Sequence, residues 1–172
     1  MIESRQVKLR VPNDRKNLVI VIGAPSKTLR DLAFRAVEYA YHDNGFVEPS
    51  RSCDVWLSDS IVEISQAIAT YSPELVVVDT NFKKTSPADI DGLREIVVPA
   101  RKAGYKGRIL CMGFPDERIK ARKAGADELV DENDIPSSLI GNHTGVYGLL
   151  DMMSFLLTKC PFTYTPLPAD KV

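Results

Sequence analysis

Short, unbroken apolar runs recur along this chain, and between them apolar residues return every three or four positions. The runs are Leu18–Ile22, Val55–Leu57, Leu75–Val78, the four residues after Arg108 in Arg108–Met112, and Leu129-Val130. Runs of this length bounded by turn residues predict strands. Leu75–Val78 is the clearest of them: three of its four residues are β-branched, as suits a strand buried on both faces of a parallel sheet. The helical period predicts elements between the runs. Ser26 caps a helix reaching about Asp43, with Leu29, Leu32, Ala33, Ala36, Val37 and Ala40 on its core side and Asn44-Gly45 at its end. Ser60–Tyr71 follows, with Ile61, Ile64, Ile68 and Tyr71 on one face. A helix over Asp89–Ala103 bends at Pro99, which lacks a donor; Asp116–Ala124 closes at Gly125, and the last helix spans Val146–Lys159.

Five strands alternating with five helices predict one α/β domain over residues 17–160. The expected architecture is a flavodoxin-like three-layer sandwich around a five-stranded parallel sheet, order 2-1-3-4-5. Residues 1–16 read as an amino-terminal arm. Val7, Leu9 and Val11 alternate there with Lys8 and Arg10 in the pattern of an edge strand, until Pro12-Asn13-Asp14 breaks it. Residues 161–172, with Pro166 and Pro168, form an extended tail.

Composition narrows the function. A net charge of -1 over 172 residues offers no basic patch for nucleic acid. No segment reaches the length of a membrane span, and the amino end lacks the apolar core of a signal peptide. Three widely spaced cysteines, Cys53, Cys111 and Cys160, two of them in apolar segments, fit a reduced, cytoplasmic protein. His42 and His143 lie too far apart for a zinc-ligand spacing. The first candidate for chemistry is Asp79, at the carboxyl end of the third run, where open α/β sheets gather their ligands. The competing reading is a side chain that caps its own turn.

Val55–Asp79 resembles the second strand, second helix and third strand of response-regulator receiver domains. Its ending, P-E-L-V-V-V-D, sets Asp79 at the family's phosphoacceptor position. D-G-L-R-E-I (Asp91–Ile96) resembles the family's third-helix entry, and A-G-A-D-E-L-V (Ala124–Val130) its turn into the fifth strand. The resemblance implies a part in bacterial two-component signal transduction. It departs from the family where the chemistry lies. The acidic pair that holds magnesium in receivers falls on Gly23, Ala24 and Pro25; the hydroxyl residue falls on Met112 or Gly113; the lysine falls on Glu132. Leu129 stands where receivers carry a switch aromatic, and the loop after Asp79 lacks their Met-Pro. Phosphoryl transfer depends on neutralising developing negative charge. The resemblance thus implies a degenerate receiver, or pseudo-receiver: no enzyme and no cofactor, acting through a protein partner with Asp79 unmodified.

Other readings stand beside it. I-G-A-P-S-K-T (Ile22–Thr28) follows a strand and opens a helix as a phosphate loop does, but Val21 and Ser26 replace both glycines. Cobalamin-binding modules share the fold, yet no histidine follows the first strand. Binding of cobalamin or a nucleotide, or a divergent receiver phosphorylated on Asp79, are the alternatives. On the last helix, Val146, Leu149, Leu150, Met153, Leu156 and Leu157 make a core stripe, which leaves Tyr147, Met152 and Phe155, with Gly148 beside them, as a second apolar face. That face suits a partner or a homodimer; Phe162, Tyr164 and Leu167 of the tail are its competing cover.

Overall fold

The computed structural model describes residues 2–10, 19–39, 50–83 and 89–132. In chain order the elements are β1 (Glu3–Arg10), β2 (Val19–Gly23), α1 (Lys27–Tyr39), β3 (Ser50–Ser58), α2 (Ile61–Tyr71), β4 (Leu75–Asp79), α3 (Val98–Lys102), β5 (Arg108–Gly113), α4 (Arg118–Ala124) and β6 (Glu128–Asp131). A π-helical turn, Leu93–Val97, leads into α3, and a 3₁₀ turn, Pro115–Glu117, into α4.

The sheet has six strands in the order β1-β3-β2-β4-β5-β6 and is mixed, which corrects the expectation of a five-stranded, all-parallel sheet. β2 to β6 pair in parallel, whereas β1 runs antiparallel along β3 from Glu3↔Leu57 to Arg10↔Ser50. The physical reason lies in β3. It starts at Ser50, five residues ahead of the apolar run Val55–Leu57, and its nine residues present a long free edge. An open edge leaves backbone donors and acceptors unmatched, and the alternating segment at the amino end supplies the match. Its pattern is that of an edge strand, and the count of five strands leaves it out.

β2 to β6 split their side chains between two cores, as the two-residue period requires. Ile20, Ile22, Val55, Leu75, Val77, Leu110 and Met112 pack on the α1 side with Ala33, Ala36 and Val37. Val21, Val76, Val78, Ile109 and Cys111 pack on the other side with Ile64 and Ile68 of α2, Ile96 and Ala121. β4 is buried at every residue, so it forms the centre of the three-layer sandwich. Ser60 caps α2, accepting from Glu63 N at 3.3 Å, and Ser72 ends it in the left-handed region at φ 44. Trp56 stacks on Tyr71 at 4.8 Å, tying β3 to α2. The bend expected at Pro99 takes the form of the π turn. Pro99 cannot donate to Glu95, and its ring crowds that carbonyl. The helix widens upstream, where Val98 N reaches back five residues to Leu93 O.

β1 is tied to α1 by Arg5, whose Nη2 donates to Asp31 Oδ1 at 3.0 Å and whose guanidinium lies 4.9 Å from the Phe34 ring. Lys27 and Arg5 both donate to Asp31 and hold its carboxyl below the usual carboxylate range. A depressed folded-state pKa contributes stability above the unfolded value, and that contribution is lost as pH falls through the folded value. Asp31→Asn is therefore expected to lower stability by no more than about 1 kcal/mol at neutral pH. The difference from wild type should shrink as pH falls through the folded-state value, as urea unfolding at neutral and at acidic pH would show.

Candidate functional site

The carboxyl ends of β2, β4, β5 and β6 meet at one edge of the molecule. Asp79 is fully buried there, and its Oδ1 accepts from Asn81 N at 2.9 Å, the geometry of an Asx turn. The next residues are fastened one by one. Thr80 N donates to Met112 O at 3.0 Å, and Thr80 O accepts from Gly92 N at 2.9 Å. Asp91, also fully buried, accepts from Phe82 N at 2.6 Å and from Lys83 N at 3.0 Å. A Cβ on Gly92 would stand 2.0 Å from Asp79 O, so the turn after β4 and the entry to the π turn approach as only glycine permits.

Two glycines shape the floor. A Cβ on Gly23 would meet Ile64 Cγ1 at 2.9 Å and Phe82 Cζ at 3.1 Å, so hydrocarbon from α2 and from the loop after β4 fills the space above it. A Cβ on Gly113 would lie 2.6 Å from Thr80 Oγ1 and 3.4 Å from Glu117 Oε2. Beside Gly23, Ala24 N donates to Ser58 O at 3.2 Å. Arg30, from the first turns of α1, donates to Ala24 O at 2.7 Å and Pro25 O at 3.0 Å. Ser58 in turn donates to Glu63 Oε2 at 2.5 Å.

Solved structures resemble this fold. The receiver domain of a Francisella response regulator matches with a TM-score of 0.50 and 16% identity, covering 72% of this chain and 92% of that one. A two-component transcriptional regulator AraC from Clostridium phytofermentans ISDg matches at 0.52 and 14% identity, covering 82% and 92%. The N-terminal domain of an uncharacterised protein from Wolinella succinogenes matches at 0.50 and 18%, covering 73% and 89%. The fold is receiver-like. No protein-family model and no curated protein matches the chain.

Within this receiver-like fold, the positions singled out in the sequence fall as follows. Gly23, Ala24 and Pro25 do lead out of β2 beside Asp79's strand, with Ile22↔Val77 and Gly23↔Val78 in register. They do not fit magnesium, which takes hard oxygen ligands and usually carboxylates: Gly23 and Ala24 offer none, and Ile64 and Phe82 carbon atoms stand where a side chain on Gly23 would project. Among the described residues no three His, Cys, Asp or Glu side chains are grouped to hold a metal ion. Register separates Met112 from Gly113. Met112 pairs with Asp79 but points into the α1-side core, whereas Gly113 faces Thr80 at the site. Glu132 follows β6 directly and is half-buried.

Ser26 caps α1 through Leu29 N at 3.3 Å, and Lys27 is bound to Asp31 at 2.8 Å. Cys53 and Cys111 are free and buried, and burial pushes both thiols well up, away from reactivity. No helix among the described residues is long and apolar enough to cross a membrane. His42, His143, Tyr147, Gly148, Met152 and Phe155 lie outside the described residues.

Sequence reasoning passes over four residues that shape this site: Ile64, Thr80, Phe82 and Glu117. Ile64 is legible as a core position of α2 but not as a lid over Gly23. Thr80 and Phe82 sit in a polar loop whose path no periodicity records. Glu117 is one acid in a charged helix-like stretch, and nothing in its spacing marks it as the buried one.

Proposed function

We propose that the protein is a receiver-like regulatory module that acts through protein–protein contact and does not depend on phosphorylation of Asp79. The observation that carries this reading is the hydrocarbon above Gly23. Phosphoryl transfer to a carboxylate needs positioned positive charge; Ile64 and Phe82 stand where a metal-holding side chain would project. The surroundings of Asp79 support the same conclusion. Its buried carboxylate is used to hold Asn81 N, Gly113 brings no hydroxyl, and Glu132 adds negative charge at the rim. The role proposed is non-enzymatic and the location cytoplasmic, the latter on the cysteine usage of the sequence.

Incubation of the purified chain with acetyl phosphate and magnesium, read by intact mass, is expected to leave the protein unmodified. Asp79→Asn retains an oxygen for Asn81 N, so its output in the native host should match wild type. A phosphate adduct on the wild-type protein that is absent from Asp79→Asn would falsify the reading.

A further inference from the structure

We draw no further inference here: the strongest candidate, the open apolar groove of about 380 Å³ between α2 and α3 with Ile68, Ala69, Ile96, Pro99, Ala100 and Tyr105 in its walls, carries nothing because nothing in the structure shows what covers it.

Discussion

Gly92→Ala is expected to destabilise the protein by at least about 3 kcal/mol, from steric overlap and a lost hydrogen bond together. The added methyl would stand 2.0 Å from Asp79 O and 3.0 Å from Thr80 O, both backbone atoms that cannot swing aside. Relief requires the turn after β4 to move away from the π turn. That motion breaks the bond from Gly92 N to Thr80 O and pulls on the two amides held by Asp91. For a chain of this size such a loss lowers the melting temperature by roughly 6–12 °C. Thermal unfolding followed by circular dichroism measures it, and a shift within error of zero would mean that the two backbones are not in close approach.

Arg101→Met is expected to cost about 3–5 kcal/mol, the range for removing one partner of a buried ion pair. Arg101 is 7% exposed and distributes its donors over Gly125 O, Tyr105 O, Gly107 O and Asp127 Oδ2, all at 2.8–3.2 Å. Asp127 also accepts from Ile109 N and Arg108, so one guanidinium couples the end of α3, the turn before β5 and the turn before β6. Methionine matches the stem but leaves three carbonyls without this donor. Arg101→Lys should recover less than half of the loss, because one ammonium cannot serve carbonyls on both sides of the fork. Denaturant unfolding of the two variants checks this; a lysine variant as stable as wild type would show that charge alone matters.

The parallel core was legible because β2, β4 and β5 are apolar runs buried on both faces, and burial of that kind admits few readings. Six strands instead of five is a matter of edges. β1 and the first half of β3 are polar and alternating, and such a segment becomes a strand only when a neighbour is available, which no single stretch discloses. At the site, Gly23, Gly113 and Glu132 lie at or one step beyond strand ends, which the apolar runs mark. What fills the space beside them is not so marked. Phe82 reaches over Gly23 only because Asp91, nine positions further on, fastens its amide, and Glu117 turns inward only because Phe114 N needs an acceptor. Both depend on loop geometry, for which neither period two nor period 3.6 carries information.

The antiparallel edge also sets an order of events. β1 precedes β2 and α1, yet its strand partner among the described residues, β3, comes after both. Closing that distance costs loop entropy with no local contact to offset it. β1 is therefore expected to zip on after the parallel sheet has formed. By the same reasoning it is the first seam to open, a cooperative unit of its own that exchanges its amide hydrogens ahead of β4 and β5.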